Sequence, residues 1–236
     1  MSLLQRSFPG RDSYPGDIFY LHARLLERAG SFEVVPGQLG SITCMPVAQT
    51  TQNDLTDYIV SNLIGITDGH ILFDLEQFSR GRRPAISIGL SVTRLGRQTQ
   101  SPLLREMNRK LSAFLSSNYE KSMQLSHFGS ELSEKVQNDL EIGSNLYSSF
   151  NQDVIDSVPL PVMIIFATMS WLNFFHTDNS INIVVYRKHL VESFNQKQET
   201  KEFLEKLIDV NNFQELQIAV DKNKLKLLEL CKKQVR

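Results

Sequence analysis

No lysine occurs in the first 109 residues, and Lys110 is the first. None of the 12 glycines is followed by lysine. A P-loop for a nucleoside triphosphate needs a glycine-rich turn whose N–H groups cradle the phosphates, then a lysine and a Ser/Thr. That device is therefore excluded within this chain. Cysteine is almost absent, with only Cys44 and Cys231. They lie far apart and in no metal-ligand spacing, which argues against a disulfide framework or a zinc site and fits a reduced, intracellular setting. The five histidines are scattered singly, at 22, 70, 127, 176 and 189, and no two have the spacing of a helical metal pair. No serine sits in a G-x-S-x-G elbow. A formal net charge of −1 over 236 residues gives no global pull toward nucleic acid or an anionic membrane. The longest apolar stretch, PLPVMIIFATMSWLNFF at 159–175, is broken by proline and polar residues. It falls short of the roughly 20 residues a bilayer span requires, and a buried helix is expected instead. The start, MSLLQRSFPGRD, has no apolar core of a signal peptide.

What is present falls into two habits. Glycine and proline are dense up to Gly96 and sparse afterwards. In the first part Asp17 can cap a helix through Ile18, Leu21, Leu25 and Ala29, with Gly30 as its stop. SITCMPV (41–47), HILFD (70–74) and AISIGL (85–90) read as strands, the last with the continuous apolar look of a strand buried on both faces. After residue 100 the period becomes 3.6. Ser101-Pro102 is a helix start. Leu104, Met107, Leu111, Phe114 and Leu115 then share a face, as do Leu132, Val136 and Leu140, Phe203 and Leu207, and Phe213, Leu216 and Val220. The fold class expected is α/β followed by an all-α helical bundle, with domains at 1–100 and 101–236. The basic tail DKNKLKLLELCKKQVR reads as a solvated helix face.

The residue that asks for a function is Arg94, which follows ISIGLSVT. An arginine at the end of a rigid strand, in a part without its own phosphate loop, has the form of an arginine finger supplied to another subunit. Its planar, always-charged guanidinium would face charge developing on a transferring phosphoryl group. The alternative from spacing alone is a structural arginine paired with a carboxylate such as Asp68.

Longer strings narrow this choice. MSLLQRSFPGRDSYPGDIFYLHARLLERAG, SITCMPVAQTTQNDLTDYI, SNLIGITDGHILFD, FSRGRRPAISIGLSVTRLGRQTQ and HFGSELSE together resemble the α subunits of rotary F-type ATP synthases, from late in the nucleotide-binding domain to the C-terminus. The first 130 residues carry the specific motifs. Later residues match in helical character and in fragments such as VMIIFA (162–167). The resemblance implies a partial RecA-like P-loop NTPase sheet that lacks the P-loop, then the helical domain. It implies that Arg94 is the finger, reaching the nucleotide held by the β subunit, and that Ser91 is needed for activity. It implies that Phe78, Arg83 and Pro84 lie near the adenine of a non-catalytic nucleotide pocket, with Gln152 as the candidate from the helical domain's glutamine-rich loop. ATP or ADP with Mg²⁺ would be bound mainly by the missing P-loop part and by β. The implied partners are β, the γ shaft and the missing N-terminal part of α. The implied location is the cytoplasmic face of the plasma membrane, or the matrix side of the mitochondrial inner membrane, as a peripheral subunit of a proton-translocating ATP synthase. The chain would not be catalytic alone.

Departures from the pattern are Gly65 for a serine, Gln49 for a glutamate and Val60 for a proline. The resemblance sets Met1 at an internal position of the family, so the chain by itself is expected to be marginal or to aggregate. Competing readings are an α-derived adaptor without turnover, a non-functional remnant, and a free-standing interaction module in 101–236.

Overall fold

A proline-led helix start and an apolar 3.6-residue period dictate most of what is seen beyond residue 100. The computed structural model describes residues 6, 8–10, 14–50, 54–94, 96, 98–128, 133–176 and 180–232. In chain order the first elements are α1 (Ile18–Leu26), β1 (Gly30–Val35), β2 (Gln38–Ile42) and α2 (Tyr58–Ile66). Then come β3 (Gly69–His70), α3 (Leu75–Ser79) and β4 (Val92–Thr93). Seven more helices follow: α4 (Pro102–Phe128), α5 (Glu134–Phe150), α6 (Leu160–Trp171), α7 (Ser180–Gln196), α8 (Gln198–Ile208), α9 (Phe213–Lys222) and α10 (Lys224–Cys231). The fold is mixed α/β followed by a helical bundle. It divides into two compact units, Met1–His70 with Val92–Gly96, and Ile71–Ser91 with Arg97–Arg236.

The smaller unit is thin. β1 and β2 form an antiparallel hairpin with Gly30 opposite Ile42, and β3 pairs antiparallel with β4. α1 meets α2 through Phe19 and Tyr58, whose ring centroids are 4.4 Å apart, and through an Asn62–His22 hydrogen bond of 3.3 Å. Two short helices and two ribbons cannot close a core. Among this unit's described residues only Pro15 and Val60 are buried, while Leu25, Val34, Leu39 and Val47 are exposed. Asp17 stands at the start of α1 but makes no side-chain cap bond.

Two strand expectations are corrected. In 41–47 only Ser41 and Ile42 belong to a strand, because β2 ends where its hairpin partner β1 begins. The run 85–90 is not a buried strand. Asp74 and Ser87 donate their N–H groups to Ala85 and Leu72, so 72–74 and 85–87 meet in a short antiparallel bridge. The chain then turns, closed by Ser91 N–H to the Ser87 carbonyl at 3.0 Å, and Leu90 is exposed. A strand apolar on both faces needs a sheet on either side, and among the described residues each sheet has two strands.

The larger unit carries the core. α6 sinks almost whole, with Val162, Ile165, Phe166 and Met169 at or near zero exposure. Its polar residues are satisfied locally: Thr168 donates to the Ile164 carbonyl at 2.8 Å, and Ser170 pairs with the Ser149 hydroxyl at 2.5 Å. Trp171 packs edge-on against Phe114 and Phe213. As the pattern predicts, Met107, Leu111 and Leu115 of α4 face this core, as do Leu207, Phe213, Leu216 and Val220. Leu132 lies outside the described residues; Val136 and Leu140 are half-buried, and the buried face of α5 is instead Gly143, Asn145, Leu146 and Ser149. Among the described residues no helix is long and apolar enough to cross a membrane.

The two thiols report on the two units. Cys44 is exposed, whereas Cys231 is fully buried and burial pushes its pKa up to about 12. Alkylation of the native chain, read by mass spectrometry, is expected to label Cys44 at once. Cys231 should react slower by a factor of about 10³ or more, because it must await an opened population of that order. Equal rates would show that the helical core is not formed.

Candidate functional site

Arg94 is built onto a junction. Gly69 pairs with Thr93, and a Cβ at Gly69 would lie 2.8 Å from the Val92 carbonyl oxygen, so only glycine permits this approach. Arg94 N–H then donates to the Asp68 carbonyl at 2.7 Å. Nearby, α2 ends with free carbonyls, as every helix does. Thr67 takes the Leu63 carbonyl with its N–H and its hydroxyl. The Arg94 guanidinium takes the next two, donating to Gly65 O at 2.9 Å and Ile64 O at 3.3 Å. A cation there also complements the negative end of the helix. Arg94 is exposed, and among the described residues no carboxylate pairs with it; Asp68 contributes its carbonyl, not its side chain.

Ser91 is engaged elsewhere. Its hydroxyl donates to the Ser87 carbonyl at 2.6 Å and accepts from Leu72 N–H at 3.1 Å. It stands in for a missing ladder partner of Leu72. Ser91→Ala is expected to cost about 1–2 kcal/mol, since the buried Leu72 N–H loses its acceptor. Urea unfolding followed by Trp171 fluorescence measures this, and an unchanged midpoint contradicts it.

Phe78, Arg83, Pro84 and Gln152, 74 positions apart in sequence at the extremes, are brought into one cluster. Asp74 caps α3 by accepting from Glu76 N–H at 2.9 Å, which sets Phe78. The Arg83 guanidinium stacks on the Phe78 ring at 3.5 Å and donates to the Phe78 carbonyl at 2.9 Å. Arg83 N–H donates to Asn151 Oδ1, and Gln152 N–H donates to the Arg83 carbonyl, both at 2.8 Å. The Arg83–Pro84 peptide is cis. Asn151 was missed from sequence; its neighbour Gln152 was the signal.

The residues fit only part of a nucleotide. An aromatic face, a planar cation and an amide side chain suit a base. A magnesium triphosphate is not suited. No lysine precedes Lys110, and among the described residues no group of three His, Cys, Asp or Glu converges.

Residues 1–93 match the family model described as ATP synthase alpha/beta family, nucleotide-binding domain. The chain is 37% identical over 196 residues to ATP synthase subunit alpha 1 of Mycoplasmopsis pulmonis, covering 83% of this chain and 37% of that protein. It is 36% identical over 194 residues to ATP synthase subunit alpha of Neorickettsia sennetsu, covering 82% of this chain and 38% of that protein. Matches of that length run well past residue 100 into the helical half. The chain spans less than two fifths of the length of these curated relatives.

Proposed function

We propose that this chain, which matches the ATP synthase alpha/beta nucleotide-binding-domain model over residues 1–93 and is similar to alpha subunits over four fifths of its length, serves as an alpha-type segment of the catalytic head. In this reading it lends Arg94 to a nucleotide site on a β-type subunit, and the head makes or hydrolyses ATP in step with proton transport. The observation that carries it is the state of Arg94: exposed, charged, without a carboxylate partner among the described residues, and fixed at its backbone by Asp68. Its guanidinium bonds two helix-end carbonyls and no carboxylate, so its full charge is left for a developing phosphoryl charge to meet.

Phe78, Arg83, Pro84 and Gln152 would hold the base of a second, non-catalytic nucleotide, whose phosphates and Mg²⁺ would be bound by the remaining portion of an alpha subunit. β, γ and that portion are the partners of this reading, and the complex would sit at the cytoplasmic or matrix face of its membrane. The test is ATPase activity of a head assembled from this chain, the rest of an alpha subunit, β and γ, with and without Arg94→Ala. An unchanged rate would favour an adaptor role.

A further inference from the structure

A cleft of about 390 Å³ opens in the larger unit between the Arg80–Arg82 turn and helices α4 and α5. The nucleotide reading does not use it: Arg83, Phe78, Pro84 and Gln152 do not line it. Arg82 and Arg83 are adjacent in sequence but stack on different rings, Arg83 on Phe78 and Arg82 on Tyr147, each at 3.5 Å.

We propose that this cleft binds a small phosphate-bearing anion through Arg82. Its lining includes Arg80 and Arg82 and no carboxylate. Arg80 is already matched, pairing with Glu76 at 2.6 Å, and the same carboxylate accepts from the Tyr119 hydroxyl at 3.0 Å. Arg82 has no carboxylate partner among the described residues; its guanidinium donates to the amide oxygen of Gln77, which is buried. The guanidinium is half-buried, and desolvation lowers its pKa from the ordinary value, yet arginine stays charged. A partly desolvated, unneutralised cation is costly, and a bound anion removes that cost.

The rest of the lining fits the same ligand class. Ser144 and Tyr147 supply hydroxyl groups and Asn118 the second N–H of its amide, while the Tyr119 and Ser148 hydroxyls donate to Glu76 and the Ser144 carbonyl; Leu140 is the one aliphatic side chain. An apolar ligand would find little to contact. A tetrahedral phosphate has oxygens for both the planar guanidinium fork and the surrounding hydroxyls. Tyr147 and Gln77 hold Arg82 in place beforehand, so little side-chain freedom is lost on binding. The inference rests on this cleft alone and stands or falls apart from the role of Arg94.

The probe is inorganic pyrophosphate, titrated calorimetrically into the full 236-residue chain at low salt. Saturable 1:1 binding is expected, weakened by about tenfold or more in Arg82→Gln, the loss of a charge-assisted bidentate contact. Arg82→Lys keeps the charge and loses the fork, and should weaken binding several-fold. The distant surface change Lys201→Gln should leave it unchanged. Far-UV circular dichroism and Trp171 fluorescence establish that each variant is folded. Absence of saturable binding overturns the proposal, as does binding that survives both Arg82 changes. Loss in Arg83→Gln but not in Arg82→Gln also overturns it, because the anion would then occupy the Phe78 cluster.

Discussion

Arg94→Ala is expected to lower ATP turnover of an assembled head by about 10³-fold or more, the range found when an arginine finger is removed. The side chain is exposed and its bonds are to two helix-end carbonyls, so its loss should cost the fold little. About 0.3–1 kcal/mol is typical for a cation at an exposed helix terminus. Assembly and nucleotide affinity should therefore change far less than rate. Arg94→Lys separates charge from shape. A lysine retains the positive charge but not the planar fork, and should restore only a small part of the activity. A drop in turnover that merely parallels lost assembly would mean that Arg94 is a helix cap and nothing more. Steady-state ATPase assays alongside subunit stoichiometry distinguish the two.

The second large effect is expected inside the helical unit. Arg187 of α7 is 1% exposed, yet Nε and Nη2 have no hydrogen-bond partner among the described residues. Nη1 donates to the Ser149 carbonyl at 2.7 Å, and Nη2 lies 3.8 Å from Asp156 Oδ2. Burial lowers the pKa of Arg187, while Asp156 and Asp153 oppose that shift. Asp156→Ala removes the nearest counter-charge and is expected to destabilise this unit by about 3 kcal/mol, in the range for breaking a buried pair. Arg187→Met removes the buried charge itself while filling its space, and should change stability by no more than about 1 kcal/mol, or raise it. Urea midpoints followed by Trp171 fluorescence give both values. Equal losses in the two variants would show that the pair stabilises the unit outright and does not merely compensate a buried charge.

How far the fold could be read in advance depended on whether order was local. Pro102 after Ser101 starts α4 where expected, with the Ser101 hydroxyl accepting from Leu104 N–H at 3.3 Å. The Phe213, Leu216 and Val220 stripe gives α9 because helix periodicity needs no distant partner. The run at 85–90 misled, since apolar content alone does not supply neighbouring strands, and Gly89 with two serines favoured a turn. For the candidate site, the strings singled out Arg94, Phe78, Arg83 and Gln152, and the structure sets the last three beside one another. Arg82 was not singled out, because its importance lies in Tyr147, 65 positions away, which no local pattern announces.

The bonds that hold Arg94 have a thermodynamic corollary for α2. The guanidinium cannot satisfy the Ile64 and Gly65 carbonyls and a phosphoryl group with the same N–H donors. If a phosphoryl group took those two of the five N–H donors, the carbonyls would pass to water and the last turn of α2 would loosen. By reciprocity, whatever tightens that turn weakens the finger's reach by the same free energy. A Cβ at Gly65 would meet nothing within 4 Å, and the carbonyl of this residue is held by Arg94 itself. On the proposed finger reading, the contact seen here and the contact with a phosphoryl group would be two ends of one balance, set within a single turn of helix.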